Sequence, residues 1–211
     1  MYDVRRTVDL VIPVKTLDRA KSRLVGAADR GVGDPAAHAA LVLAVALDTV
    51  TAAASAQGVG RVLVVTSDPE LTSALHRIGV EVLADGPEPG LNSALRHGAA
   101  ALGPSVGALQ ADLPALRPAE LSAALAEAGD RRAFCADRQG TGTTLLLAAP
   151  GEPLDPRFGV GSATAHTESG AVPLTGDWPS LRCDVDTAED LAVAARIGFG
   201  PRTAAQFVLS A

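Results

Sequence analysis

Apolar and polar positions along the chain follow two alternating rhythms. Short apolar runs predict strands at Leu10–Val14, Arg61–Thr66, Glu81–Ala84 and Val106–Gln110. Helical stretches separate them. The first is predicted to start at Asp34-Pro35, with Asp as cap and Pro at the first helical position, and to run through continuous apolar sequence to about Ala56. A second runs from near Pro69 and stops by Gly79, a third spans roughly Asn92 to Leu102, and a fourth Pro118 to Ala128. Strand–helix alternation of this kind predicts a mostly parallel sheet. After Gly129 the rhythm changes. Strands Ala133–Ala136 and Thr143–Ala149 come in close succession, then a Gly/Pro-rich loop from Pro150 to Gly161 and a short helix near Ser162–Ser169. A strand near Leu181–Val185 and a helix from about Ala188 to Ile197 complete the pattern. The opening half reads as a wound sheet, and the second half as an addition that supplies a further site.

Length and charge narrow the class. The 211 residues suit one α/β domain spanning 1–211. Hydrophobic residues make up 47% and aromatics 3%, so the core is built from Ala, Val and Leu. A net charge of -6 argues against nucleic acid as a partner, because phosphate-backbone binding needs a broadly basic face. Charged residues Asp3, Arg5, Arg6 and Asp9 break any early apolar run, which argues against a signal peptide. The longest apolar stretch, around Ala39 to Ala54, contains Asp48 and is expected to fall short of a membrane span. Cys135 and Cys183 fit reduced thiols on buried strands. The expectation is a cytoplasmic protein that engages neither membrane nor nucleic acid.

Against that acidic background one loop is basic. The strand Leu10–Val14 runs into Lys15, Arg19, Lys21 and Arg23. Ligands of open α/β sheets sit in the crevice at the carboxyl ends of the strands, and crowded phosphates need such a density of positive charge. The competing reading is a solvated basic loop. Acidic candidates stand at later strand ends. Asp112, in Gln110-Ala111-Asp112-Leu113-Pro114, is placed to hold a divalent metal or to cap the following turn. In Cys183-Asp184-Val185-Asp186, strand alternation puts Asp184 and Asp186 on one face, where a cation would relieve their repulsion. Asp186 with Glu189 also resembles a capping box.

Glycine loops add weaker signals. Gly140-Thr141-Gly142-Thr143-Thr144 and Pro156-Arg157-Phe158-Gly159-Val160-Gly161-Ser162 each read as a ligand loop or a plain turn, with Ser162 at a helix start offering a hydroxyl and amides to an anion. Asn92, in Gly90-Leu91-Asn92-Ser93-Ala94, reads as a helix cap in preference to a nucleobase contact. The histidines His38, His76, His97 and His166 lack metal-ligand spacing and read as structural or surface residues. A P-loop, a GxGxxG turn after a strand and a nucleophile elbow are all missing from the sequence.

Taken in order, PVKTLDRAKSRL, GLNSAL, LQADLPAL, ADRQGTGTTLLL, DPRFGVGSATAH and LRCDVDTAEDL resemble the phosphoenolpyruvate/2-phospho-L-lactate guanylyltransferases of coenzyme F-420 biosynthesis, most closely the actinobacterial, phosphoenolpyruvate-using branch. The resemblance covers nearly the whole chain. It implies a GT-A-like nucleotidyltransferase fold: a wound, mostly parallel sheet with helices on both faces and a small acceptor-site insertion. It implies GTP and phosphoenolpyruvate as substrates and Mg2+ as cofactor. It further implies metal ligation at Asp112, Asp184 and Asp186, triphosphate contacts at Lys15, Lys21 and Arg23, nucleoside contacts at Leu91 and Asn92, and acceptor contacts at Thr143, Gly159 and Ser162. Ala111 departs from the glycine expected before the aspartate, which matters only if that backbone needs a positive φ. The alternatives are 2-phospholactate as acceptor, another nucleotidyltransferase such as a molybdopterin guanylyltransferase, and a non-catalytic nucleotide-binding module.

Overall fold

A computed structural model describes residues 7–17, 24–27 and 31–208. Among the described residues seven strands form one sheet: β1 (Val8–Pro13), β2 (Val59–Val65), β3 (Glu81–Leu83), β4 (Val106–Leu109), β5 (Ala133–Ala136), β6 (Thr143–Leu147) and β7 (Val172–Pro173), in the order β3-β2-β1-β4-β6-β5-β7. Every neighbouring pair is parallel except the two that β6 makes, with β4 and with β5. The sheet is therefore mostly parallel with one reversed strand, in line with the expected wound architecture.

Strand alternation divides the core between the faces. Leu10, Ile12, Val62 and Val64 point to one face. There they meet Leu47 and Val50 of α1 (Pro35–Ala54), Leu71 and Leu75 of α2 (Pro69–Arg77), and Leu121 and Leu125 of α4 (Pro118–Ala128). Val11, Val65, Ala108 and Leu146 point to the other, against Leu95 of α3 (Leu91–Ala99) and Ala163 of α5 (Ser162–Glu168). Helices thus cover both faces, as expected. Gly98 lets α3 lie close on the sheet, since a methyl group there would run into the side chains of Val11 and Val65.

Local signals explain most helix starts. The Asp34 carboxylate accepts from the amides of Ala36 and Ala37 at 3.2 Å each, with Pro35 at the first turn of α1. Asp68 caps α2 through Leu71 N at 2.9 Å, and its second oxygen takes Leu17 N at 3.0 Å. That second bond ties the segment leaving β1 to the start of α2.

Three expectations need correction. The strand predicted near Leu181–Val185 is instead the short helix α6 (Pro179–Arg182) followed by an extended segment. Pro179 favours a helical start, and Glu120 accepts from the amide and hydroxyl of Ser180 at 2.8 and 2.7 Å. The guanidinium of Arg182 reaches the carbonyls of Ala136, Leu174 and Gly176. The apolar alternation survives without a sheet: Leu181, Cys183 and Val185 are buried. Second, α1 has 20 residues and a mean hydropathy of 1.7, long and apolar enough by length and composition to cross a membrane. Yet 61% of that stretch is buried inside the protein, so it serves here as a core helix. Third, β7 and the final helix α8 (Pro201–Val208) were not expected, and α7 (Ala188–Ile197) is not the last element.

Asp48 accounts for α8. Within the apolar α1, its buried carboxylate accepts from Thr203 N at 2.7 Å and Arg202 N at 3.2 Å, and it pairs with the Arg202 guanidinium at 3.4 Å. It caps a helix 154 residues away. Asp48→Ala is expected to lower stability by about 2–3 kcal/mol, because it strands two amide donors beside a half-buried cation. Chemical denaturation measures this, and Asp48→Asn should lose less.

Candidate active site

One edge of the sheet gathers the candidate residues. β1, β2, β3 and β4 are parallel, so their carboxyl ends lie together. The order β3-β2-β1-β4 places the switch in winding direction between β1 and β4, where wound sheets bind ligands. Because β6 runs the opposite way, its amino end at Thr143 lies on that same edge. Gln110 N donates to Thr144 O at 2.9 Å, which joins the end of β4 to the start of β6.

A cleft of about 410 Å³ opens beside the ends of β1 and β2. Val14, Lys15 and Thr16 line it after β1, together with Asp85, Glu88 and Leu91 from the segment that leads into α3. Lys15 is exposed and Leu91 half-buried, so the structure brings these two predicted residues into one cleft. The remaining cations of the basic loop, Arg19, Lys21 and Arg23, lie outside the described residues. Leu17 and Leu24, the described residues on either side of them, are both buried.

The carboxylates come next along the edge. Asp112 follows β4 and is half-buried. Val185 N donates to Asp112 O at 3.0 Å, which lays the extended segment alongside. Cys183 and Val185 are buried while Asp184 is half-buried and Asp186 exposed, so the two aspartates share the open side, as alternation predicted. Among the described residues, no three His, Cys, Asp or Glu side chains gather into a metal-holding cluster. The backbone pairing therefore sets Asp184 and Asp186 beside Asp112 without closing a three-carboxylate cage.

The capping role falls one residue beyond the expected box. Thr187 caps α7, its hydroxyl oxygen accepting from Asp190 N at 3.2 Å, while the Asp190 carboxylate takes Thr187 N at 3.0 Å and Asp186 N at 3.3 Å. Arg138 pairs with Asp190 at 3.0 Å. Burial raises the Asp190 carboxyl, but the hydrogen bonds from Thr187, Arg138 and these amides outweigh it and hold the group below its ordinary value. Ala111 needs no special backbone: among the described residues Asp155 is the one non-glycine with a positive φ, at 45°.

Beyond Asp112 stands a buried polar group. Ser162 Oγ lies 3.1 Å from Thr143 Oγ1, and Thr143 Oγ1 lies 2.9 Å from His166 Nδ1. Arg157 N donates to His166 Nε2 at 3.0 Å. Phe134 and Phe158 pack on the imidazole at 5.8 and 5.1 Å between ring centres. Burial, with Arg132 and Arg157 nearby, pushes the His166 pKa down to about 4, so the ring is neutral at neutral pH. Gly159 is exposed with φ of 139°, a conformation that glycine adopts without strain.

Comparison with known proteins places this geometry. The MobA-like NTP transferase domain matches residues 35–185. A phosphoenolpyruvate guanylyltransferase of Salinispora arenicola is 55% identical over 92% of this chain and 91% of its own. One of Geodermatophilus obscurus is 52% identical over 95% and 94%. The chain belongs to the phosphoenolpyruvate guanylyltransferase family. Solved structures share the fold: a Methanothermobacter nucleotidyl transferase at a TM-score of 0.61 and 20% identity, covering 90% of this chain and 97% of that one. A CMP:2-keto-3-deoxy-manno-octonic acid synthetase complexed with CTP has a TM-score of 0.54 and 16% identity, covering 90% and 98%. This guanylyltransferase-family chain thus has a GT-A-like α/β nucleotidyltransferase fold.

Several local expectations change. The helix cap of α3 is Gly90, not Asn92. Asn92 instead clamps the distant loop: its Nδ2 donates to Phe158 O at 3.0 Å and its Oδ1 accepts Phe158 N at 2.8 Å. The first amides of α5 are not available to an anion, since Ser162 N donates to Gly159 O and Ala163 N to Thr141 O, at 3.1 Å each. The 140–144 loop is a self-contained turn, because Asp137 accepts from Thr141 N at 2.9 Å and Gly142 N at 2.7 Å. His166, set aside in the sequence as structural or surface, lies at the centre of the buried group. Its one sequence signal is helical spacing, four residues after Ser162. The two thiols are free and buried, and burial pushes both up to about 11, so they stay protonated. Asn92→Ala should speed amide hydrogen exchange at Phe158 by about tenfold or more, with the β1 amides unchanged. Unaltered protection at Phe158 would disprove the clamp.

Proposed function

We propose that the chain transfers the guanylyl group of GTP to the phosphate of phosphoenolpyruvate, in the cytoplasm, as a step in coenzyme F-420 biosynthesis. The products are enolpyruvoyl-2-diphospho-5'-guanosine and pyrophosphate. The observation that carries this reading is the identity of 45 to 55%, over nine-tenths of the chain, to relatives named for that activity. The geometry supports it. Asp85 and Glu88 line the cleft with hydrogen-bond acceptors, which suit the adjoining N–H and NH2 donors of a guanine edge. Lys15 stands at the sheet edge where a triphosphate would follow, and Lys21 and Arg23 would add charge from the same loop. The chain acts as one nucleotidyltransferase domain over residues 1–211, with small anions as its substrates and no role for nucleic acid or membrane.

A phosphate oxygen of the acceptor attacks the α-phosphorus of GTP. The new P–O bond forms as the bond to the β-phosphate bridging oxygen breaks, and pyrophosphate leaves with that electron pair. A phosphate monoester is already largely ionised at neutral pH, so no protein group has to remove a proton. His166 agrees with this, since both its nitrogens already have protein partners. The task left to the protein is to hold two anions together.

Asp112, with Asp184 and Asp186 on the segment beside it, would supply carboxylate oxygens for Mg2+. A hard cation wants oxygen ligands and often takes only one or two carboxylates beside substrate phosphates, so a closed three-carboxylate cage is not required. When bound, it supplies charge that screens the reacting phosphates and favours departure of pyrophosphate. Thr143 and Ser162 would meet the acceptor with hydroxyls, and Gly159 would let the backbone approach it. Leu91 would pack near the nucleoside, while Asn92 would act on that site through the loop it clamps.

The direct test incubates the protein and GTP with phosphoenolpyruvate, 2-phospholactate or 3-phosphoglycerate, and reads pyrophosphate. Release should depend on added acceptor. With the first two acceptors at equal concentration and GTP limiting, the phosphoenolpyruvate adduct should dominate; it is lighter by two hydrogens, which mass spectrometry resolves. An excess of the phospholactate adduct would reassign the acceptor, and a non-catalytic nucleotide-binding module would release nothing. Asp112→Asn should cut turnover about a hundredfold or more with an unchanged thermal melt. Near-normal turnover would remove Asp112 from the metal site.

A further inference from the structure

We infer that His166 is a positioning residue which, as the tautomer carrying its hydrogen on Nδ1, leaves the Thr143–Ser162 hydroxyl pair with one hydrogen to donate to the acceptor anion. This inference rests on the acceptor site proposed above. It begins with a backbone bond. Arg157 N–H points at His166 Nε2 from 3.0 Å. A nitrogen that accepts a hydrogen bond cannot carry a hydrogen of its own. In a neutral ring the hydrogen therefore sits on Nδ1, and it must be donated to Thr143 Oγ1, 2.9 Å away.

A count of hydrogens then decides the polarity of the pair. His166 Nδ1, Thr143 and Ser162 carry one hydrogen each. They share two contacts, His166 to Thr143 and Thr143 to Ser162. One hydroxyl hydrogen is always left over. With Ser162 donating to Thr143, it is the hydrogen of Thr143. With the opposite rotation, it is that of Ser162. Neither can turn back to the imidazole, because Nδ1 already presents a hydrogen. In the other tautomer, Thr143 would donate to Nδ1 and Ser162 to Thr143, and no hydrogen would remain. That pair would offer only lone pairs, which an anion repels.

The surroundings hold the ring to this state. Phe134 and Phe158 flank it. Asn92 holds Phe158, the residue next to Arg157, through both its amide and its carbonyl. The adjacent amides of Arg157 and Phe158 thus serve His166 and Asn92 in turn. The arrangement gives the acceptor a directional donor without another buried cation. The imidazole does not touch substrate and transfers no proton.

Nitrogen-15 NMR of histidine in the full, unliganded protein reads the tautomer directly. His166 should show a protonated Nδ1 and a bare Nε2 at neutral pH; a protonated Nε2 would overturn the inference. Steady-state kinetics give the second arm. His166→Phe should raise the acceptor KM about tenfold or more while the GTP KM stays within twofold. His166→Asn keeps a side-chain N–H near the Nδ1 position and should recover most of that loss. Equal defects in both KM values, or no recovery with Asn, would overturn it. Should His166→Phe fail to fold, the tautomer and the Asn variant still decide. The underlying site is separable through Thr143→Val. An unchanged acceptor KM in that variant removes the acceptor site itself, whereas a raised KM together with a protonated Nε2 removes only the role of His166.

Discussion

The reversal of β6 is the constraint on which the site depends. In an all-parallel sheet, the strand next to β4 would present its carboxyl end at the active edge and its amino end at the far one. Here β6 pairs antiparallel with β4, Leu109 opposite Leu145 and Ala108 opposite Leu146. Its first residue, Thr143, therefore arrives at the edge where β4 delivers Asp112. The bond from Gln110 N to Thr144 O continues the pairing past the last ladder residue. Candidate metal and acceptor groups meet because one strand runs backwards. The same reversal turns the 137–142 connection into a tight turn at that edge, from which Arg138 reaches Asp190 at the start of α7.

Electrostatics set the second condition. A chain of net charge -6 is proposed to join two phosphorylated substrates. The wider surface would repel both, so positive charge has to be local, and the sequence concentrates it in a loop after β1. The described acidic groups are placed in keeping with this. Asp68, Asp137 and Asp190 each accept backbone amides, which ties their charge to the scaffold. Asp184 is half-buried and Asp186 exposed, on the opposite side of their segment from Cys183 and Val185.

The sequence made the wound half legible because its signals are local. Asp34-Pro35 and Asp68-Pro69 announce helices that the structure contains, and the early apolar runs fall on strands β1 to β4 within a residue or two. Order and alternation placed Asp184 and Asp186 on one side even though no strand formed. What escaped were features whose cause lies far along the chain. Helix α8 is capped by Asp48 from within α1. The Leu181 region is held as a helix by remote partners: the Glu120 carboxylate accepts from Ser180 N, and Arg182 donates to the carbonyl of Ala136. Asn92 looked like a cap because a polar residue at a helix start usually is one, yet its partner is 66 residues away. His166 carried no spacing that marks a ligand, since its role comes from one amide and one hydroxyl that only the fold brings near.

These remote contacts share a direction. Asn92 sits one residue after Leu91, which lines the cleft, and it grips Phe158 on the loop that leads to Ser162. Arg157, the preceding residue, grips His166, which grips Thr143. Two sets of hydrogen bonds, joined through the backbone between Arg157 and Phe158, thus run from the start of α3 to the buried hydroxyls. Every link involves a backbone group or a buried side chain, at 2.8 to 3.0 Å. The two halves that the sequence pattern separates at Gly129 are thus joined at this edge by the bonds from Asn92 to Phe158 and from Arg157 to His166.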